Sequence, residues 1–343
     1  MCCRINIDRR ELLKLMKGAK GVKLEGLEAV ESVRKGGMWA LPDITGSVGV
    51  VTINLPRLTL ASGGDDDRFF EGLEEALELA KEGLDWMRRR YCELARSHSA
   101  IYMMPAEYIP EVFLLGGSPF FSTVGLIGLP EAAAIMAGDP KLWLEPSSRE
   151  LREAVEFMRK VLRHVVGKAR EWSMSVGYPF NVEEVPGEAA AIRLASKDLA
   201  KYPDASEYIL HDGVAFYSSS IAPYYADLDL AERIELESSL QKHFTGGVIM
   251  HIFLGEEPDP EALAKLVRKL TYNTELVYWS FTPAISVCPR CGWKATGLYR
   301  YCPKCGEAAE VWSRVIGYYR PLKNWYPMRA KEFWTRKHYR SVL

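Results

Sequence analysis

The stretch Ser313-Arg314-Val315-Ile316-Gly317-Tyr318-Tyr319-Arg320-Pro321-Leu322-Lys323-Asn324-Trp325-Tyr326-Pro327-Met328 decides how this chain is read. At its centre Gly317 stands between the apolar Val315-Ile316 and the aromatic Tyr318-Tyr319. A lone Gly in such a place usually supplies a turn with positive φ. This one has company. Cys288-Pro289-Arg290-Cys291 and Cys302-Pro303-Lys304-Cys305 precede it as two CxxC knuckles ten residues apart, followed by Gly292 and Gly306. That spacing suits four thiolates around one tetrahedral Zn²⁺. The unit is too short to bury a core, so the metal would supply its folding energy, about 10–16 kcal/mol for structural sites. Four thiolates leave no open position, so the expected zinc is structural. An iron-sulphur cluster or redox dithiols are the alternatives.

Other segments accompany this tail. The chain opens Met1-Cys2-Cys3-Arg4, and Thr45-Gly46-Ser47-Val48-Gly49-Val50-Val51-Thr52-Ile53-Asn54-Leu55-Pro56-Arg57 is a β-branched run that ends in Asn-Leu-Pro-Arg. Tyr217-Ser218-Ser219-Ser220 and Thr245-Gly246-Gly247-Val248 follow farther on. Taken in order, these segments resemble those of anaerobic (class III) ribonucleotide reductases, members of the glycyl radical enzymes. The core Arg314-Val315-Ile316-Gly317-Tyr318 resembles the family's glycyl-radical loop, which implies a stable carbon-centred radical on Gly317. Gly suits that chemistry because a backbone Cα radical is planar and conjugated with the flanking amides, and a Cβ would crowd it.

By the same resemblance Cys3 is the catalytic thiol that becomes a thiyl radical, since the family's Cys immediately precedes the Arg matched by Arg4. Cys2 falls where the family often has a small residue. Asn54, with Arg4, would hold the substrate. A separate radical-SAM activating enzyme would install the glycyl radical. The substrates would be ribonucleoside triphosphates, and formate or a thiol reductant would supply the electrons. The implied fold is α/β: part of a ten-stranded α/β barrel of the glycyl radical enzyme type, with a C-terminal zinc ribbon and glycyl-radical loop. Residues 1–280 would form the C-terminal portion of the barrel with its finger loop, 281–310 the zinc ribbon, and 311–343 the radical loop and tail. Family members carry a nucleotide-binding region and half a barrel ahead of the finger loop. The chain therefore looks like the C-terminal catalytic part of a split or truncated reductase, with a partner polypeptide expected to supply the N-terminal half and a homodimer expected for the complete enzyme. Tyr326, Met328 and Arg329 depart from the family's usual residues, while Glu332-Phe333 is retained.

Composition bounds the rest. The 343 residues are 48% hydrophobic, enough for one large or two modest domains. Lys plus Arg number 44 against 45 acidic residues, so no global field draws the chain to nucleic acid or a membrane. No apolar run of about 18 residues appears, and the N-terminus does not read as a signal peptide. Seven cysteines, four of them in CxxC pairs, suit metal and redox chemistry in a cytoplasmic protein rather than a secreted disulfide frame.

Along the chain, Ile5–Met16 reads as a short helix and Gly49–Leu55 as a buried strand. Asp65–Leu94 gives the clearest helix, its stripe running through Phe70, Leu73, Leu77, Ala80, Leu84, Met87, Tyr91 and Leu94. Cys92 lies beside that stripe as a packing residue. Phe121–Leu129 reads as a strand or a closely packed loop, and Ser147 with Glu150 as a capping box opening a helix through Val166. Glu188–Leu199, Leu228–Phe244 and Pro260–Leu270 read as helices, the second of them stopped by Gly246-Gly247 acting as a C-cap. Val248–Leu254 reads as a strand. Such alternation argues an α/β architecture with largely parallel strands. His98, His211, His243 and His251 lack metal-ligand spacing and are read as structural.

Two rivals accompany this reading. One is another glycyl radical enzyme; the ribbon and the Asn-Leu-Pro-Arg strand favour the reductase. The other is an inactive remnant in which the ribbon and the basic, aromatic tail (Arg314, Arg320, Lys323, Arg329, Lys331, Arg336, Lys337 and Arg340) bind nucleic acid.

Overall fold

The computed structural model describes residues 47–97, 120–146, 149–176, 178–315 and 317–340. Ile5–Met16, Cys2, Cys3, Arg4, His98 and Ser147 lie outside them.

Ser47–Asn54 forms β1, and Leu55–Ser62 forms α1, opened by Asn54 and by Pro56 in the first turn. Asp66–Ser97 is the long helix α2. Asp65 starts it by accepting the Arg68 backbone N–H at 2.9 Å. Its stripe buries Leu73, Leu77, Ala80 and Leu84, with Phe69 added beside Phe70. Phe121–Ile127 is β2, buried along its whole length, as a central parallel strand covered on both faces should be. Leu129–Ala137 (α3) and Glu150–Val176 (α4) lead to β3, Phe180–Glu184. Glu188–Lys201 is α5 and Leu230–Gln241 is α6. Met250–Leu254 (β4), Pro260–Asn273 (α7) and Trp279–Pro283 (β5) complete the α/β part.

β1, β2 and β3 are parallel neighbours in that order, and β4 and β5 form a second parallel pair. The segment entering β4 joins the two sets. Gly246 N donates to Val182 O at 2.8 Å, and Glu184 N donates to Gly247 O at 2.9 Å. Five parallel passes thus follow one another through helical crossovers. A large apolar core lies where α2, α4 and α6 meet the strands, with Val124, Leu126, Leu162, Val165, Trp172 and Val182 among its members.

Two expectations change. The Gly49–Leu55 run forms the strand Ser47–Asn54 with Leu55 opening α1, but within the strand Ile53 is buried while Ser47, Val50 and Thr52 are exposed. The reason is position: among the described residues β1 pairs with β2 alone and forms the sheet edge. Gly246-Gly247 is also not a helix cap, because α6 ends at Gln241 and its cap position is Lys242 at φ −60°. Gly246 is needed for close approach. A Cβ there would lie 2.9 Å from the Val182 carbonyl oxygen and 2.9 Å from Asn181 Nδ2. The start of α6 is instead set by a capping box between Asp229 and Glu232.

After β5 the chain enters an antiparallel sheet of Ile285–Val287 (β6), Lys294–Thr296 (β7), Glu310–Arg314 (β8) and Tyr319–Pro321 (β9), ordered β9-β8-β6-β7. One sheet therefore runs across the expected boundary at residue 310. Pro327–Glu332 (α8) and the turn after it return the tail to β4. There Tyr339 N donates to Phe253 O at 2.8 Å and Gly255 N to Tyr339 O at 3.0 Å. No helix among the described residues is long and apolar enough to cross a membrane.

Candidate active site at the strand ends

Asn54 stands where β1 turns into α1. Its Oδ1 accepts the Arg57 N–H at 3.4 Å, and its Nδ2 donates to Asp198 Oδ2 at 2.7 Å. Tyr217 Oη donates to the same carboxylate oxygen at 2.7 Å, and the Arg57 guanidinium pairs with Oδ1. The Asp198 side chain is wholly buried. A buried carboxylate needs several donors to offset its desolvation, and Asn54 and Arg57 of the β1–α1 turn and Tyr217 from a distant segment provide them. Burial and the Asp198 charge push the Tyr217 phenol far above its ordinary range, so it stays a donor.

Beside this network lies a second acid. Glu131, in the first turn of α3, is fully buried and receives Ser218 N at 3.0 and 3.1 Å and Ser218 Oγ at 2.6 Å. Burial raises its carboxyl to about 7, against the smaller opposing effect of the Ser218 hydrogen bonds. Gly128, at φ 72°, makes the turn into α3 possible: a Cβ there would sit 2.5 Å from Pro56 Cγ, inside the Asn-Leu-Pro-Arg turn. Ser219 Oγ accepts Gly187 N at 2.9 Å. The Tyr217-Ser218-Ser219-Ser220 segment thus links the ends of β1, β2 and β3 through Asp198, Glu131 and Gly187.

The sign of the Glu131 shift gives a test. A carboxyl raised from 4.5 to about 7 contributes fully below its unfolded value, and that contribution fades as pH rises toward 7. The fade amounts to about 3 kcal/mol. Glu131→Gln cannot ionise, so its stability relative to the parent chain should rise by about that amount between pH 4.5 and 7 in urea titrations. Parallel pH curves for the two chains would remove Glu131 as the source.

The four ribbon cysteines converge. Cys288 and Cys305 sulphurs lie 3.5 Å apart, those of Cys291 and Cys302 3.6 Å apart, and all four lie within 4.8 Å of one another. Tetrahedral ligation at a Zn–S distance of about 2.3 Å separates sulphurs by about 3.8 Å, so the quartet fits such an ion. The two knuckles repeat one another. Gly292 N returns to Cys288 O at 3.1 Å and Gly306 N to Cys302 O at 2.9 Å, both glycines at positive φ. The Cys291 N–H reaches Cys288 Sγ at 3.4 Å, a backbone contact to the first ligand of the knuckle. Among the described residues this is the cluster that could hold a metal. His211 is instead stacked on Tyr225 at 3.8 Å and held by burial at about 4, and His251 Nδ1 bonds Thr282 at 2.8 Å.

Gly317 lies half-buried in the tip between β8 and β9, where Arg314 pairs with Tyr319 across the ladder. Behind the tip, Glu332 is buried between Arg336, at 3.0 Å, and Arg329, at 3.2 Å. Burial alone would raise the Glu332 carboxyl, but the two guanidinium groups outweigh it and hold it below the usual range. Of the basic tail residues, Arg329 and Arg336 are thus turned inward, Lys323 pairs with Glu310 and Lys337 with Asp227. Buried in this way, Arg329 and Arg336 are not presented to a phosphate backbone.

A family model described as anaerobic ribonucleoside-triphosphate reductase matches residues 1–339. The chain belongs to that family. The reductase of that name from Haemophilus influenzae is 26% identical over 262 residues, covering 72% of this chain and 34% of the relative. The Salmonella typhimurium reductase is 27% identical with the same two shares. The chain therefore spans about a third of the length of the curated relatives it matches. Among solved structures, an anaerobic ribonucleotide reductase aligns with a TM-score of 0.61 and 26% identity over 87% of this chain and 45% of that one. The Thermotoga maritima enzyme with dATP bound in its specificity site aligns at 0.63 and 27% over 81% and 44%. Its mixed α/β architecture is shared here.

Sequence reasoning placed Asn54 at a strand end, and the structure brings it together with Arg57, Asp198 and Tyr217. It missed Asp198 and Glu131. A signal existed for the first: Asp198 continues the buried α5 stripe Ala191, Ala195 at helical steps, where a solvated acid would not belong. Glu131 carries no comparable signal, since an acid in the first turn of a helix is common for its interaction with the dipole alone. Cys3 and Arg4 lie outside the described residues.

Proposed function

We propose that this chain is the C-terminal catalytic part of an anaerobic ribonucleoside-triphosphate reductase, working with a polypeptide that supplies the other barrel half. Residues 1–280 would carry the barrel part and finger loop, 281–310 the ribbon, and 311–343 the radical loop. The observation that carries this reading is the Gly317 hairpin, built on the same sheet as the cysteine quartet and followed by a tail that returns to β4, in a chain of the reductase family. Among the described residues β1 is paired on one side only, with Val50 exposed, which leaves room there for a strand of the other barrel half.

In this reading a radical-SAM activating enzyme removes one hydrogen atom from Gly317 Cα. The glycyl radical takes the hydrogen of the Cys3 thiol, and the resulting thiyl takes the 3′ hydrogen of the substrate ribose. S–H and ribose C–H bonds have similar strengths, so the transfer runs without a deep trap. Water leaves C2′, and formate or a thiol reductant delivers the two electrons. Asn54, fixed by Asp198, retains one amide N–H for the substrate, and Arg4 would assist it. The zinc held by Cys288, Cys291, Cys302 and Cys305 would be structural, stiffening the base of the loop. The complete enzyme would be a cytoplasmic homodimer serving deoxyribonucleotide synthesis for DNA replication.

The test is anaerobic turnover of the complemented enzyme with its activase, a ribonucleoside triphosphate and either reductant. Deoxynucleotide should form with the parent chain and be lost with Cys3→Ser. Product formed equally by the Cys3→Ser chain would overturn the assignment.

A further inference from the structure

The backbone carbonyls around Gly317 are held by guanidinium groups to an unusual degree. Arg314 Nε donates to Gly317 O at 3.0 Å, and its Nη1 donates to Ser280 Oγ on β5 at 2.8 Å. Arg336 Nη1 donates to Arg314 O at 2.9 Å, and its Nη2 to Val315 O at 3.3 Å. Arg336 is itself fixed by a bidentate pair with Glu332, both contacts at 3.0 Å. The rings of Tyr224, Phe253, Trp325 and Phe333 surround it, with centroids 5.2, 4.9, 5.2 and 5.6 Å from its Cζ.

Closing a hairpin does not require this. The Arg314–Tyr319 pair already ends the ladder. A long side chain loses rotamer freedom when fixed, and a buried guanidinium loses its hydration. Both costs are met here at the carbonyls leading to Gly317 and at the Gly317 carbonyl itself. The Ser280 contact also shows that Arg314 is more than a local staple, because it ties the tip to a barrel strand 34 residues away in sequence.

We propose that Arg314 stabilises the radical on Gly317 through its carbonyl oxygen, and that Arg336 is the positioning residue that holds Arg314 and the loop in place. The proposal rests on reading Gly317 as the radical carrier. A glycyl radical spreads from Cα onto the amide nitrogen and the carbonyl oxygen, and the oxygen gains negative character as nitrogen feeds electron density in. A charge-assisted hydrogen bond on that oxygen favours the spread form and costs no reorganisation, because the donor is already in place. No proton or electron moves to Arg314. The only bond broken is the Gly317 Cα–H, in the activation step.

The experiment uses the whole reductase, activated anaerobically, with electron paramagnetic resonance as the readout. Arg314→Lys should fold like the parent chain by circular dichroism. Its glycyl doublet should be wider, since more spin stays on Cα, and should decay several-fold faster under argon. Arg336→Lys should lower the radical yield several-fold. Ser280→Ala keeps every residue of the hairpin, removes only the outer anchor of Arg314, and should widen the doublet in the same sense by less. An Arg314→Lys radical with the parent width and lifetime would overturn the proposal. Where the arginine variants fail to fold, an unchanged Ser280→Ala spectrum would overturn it as well. A parent enzyme that forms no radical at all would instead sink the functional reading beneath it, so the two failures are separable.

Discussion

Cys302→Ser, or removal of the metal by a strong chelator, is expected to unfold the ribbon and to abolish activation of Gly317. The apolar support of the ribbon is small: Ala284, Leu322, Trp325 and Phe333 form its buried cluster, with Leu298 and Val311 beside them. So small an apolar cluster leaves the metal as a main support of the unit. A tetrahedral zinc contributes about 10–16 kcal/mol to such a unit. Because β8 belongs both to the ribbon sheet and to the Gly317 hairpin, loss of the metal reaches the loop directly. Hydrogen exchange should show residues 285–321 losing protection together, with one zinc released per chain, while the core of β2 and α4 stays protected. Unchanged exchange in β8 and β9 after metal loss would show that the ribbon does not support the loop.

Asp198→Asn is expected to damage the site more than the loss of one charge suggests. The carboxylate accepts from Asn54, Tyr217 and Arg57 at once. An Asn side chain can face the Asn54 Nδ2 donor only with its oxygen, which leaves its own NH₂ toward Arg57, or the reverse. One buried donor then loses its acceptor, at about 1–3 kcal/mol, and the ion pair with the partly exposed Arg57 is lost. The displaced Asn54 amide should lower turnover about 100-fold, the scale of a misplaced substrate contact. Urea titration reads the first effect and single-turnover kinetics the second. A stable Asp198→Asn chain with parent turnover would remove Asp198 from the account of Asn54.

Much of this was legible where the signal is local. The α2 stripe, the α4 and α7 periodicities and the cysteine spacing each depend on residues a few positions apart, and the structure shows those helices and gathers those sulphurs. β3 and β5 were not legible. Phe-Asn-Val-Glu-Glu and Trp-Ser-Phe-Thr-Pro carry polar residues that look solvated, yet Asn181, Glu184 and Thr282 are buried. Glu184 is accommodated because its Oε2 accepts the Ile249 N–H at 3.1 Å, from a segment 65 residues on. The Asn54–Asp198 contact spans 144 residues, and no local pattern reports on it. The Gly246-Gly247 misreading has the same origin, since its reason lies in the neighbouring strand rather than in the helix before it.

The central claim is that Gly317 is where the radical resides. The most direct measurement is the electron paramagnetic resonance spectrum of the activated, complemented enzyme grown with α-deuterated glycine. A doublet in unlabelled enzyme that collapses to a singlet on labelling, and vanishes in Gly317→Ala, is the predicted result. A doublet of full intensity in the Gly317→Ala enzyme would contradict it.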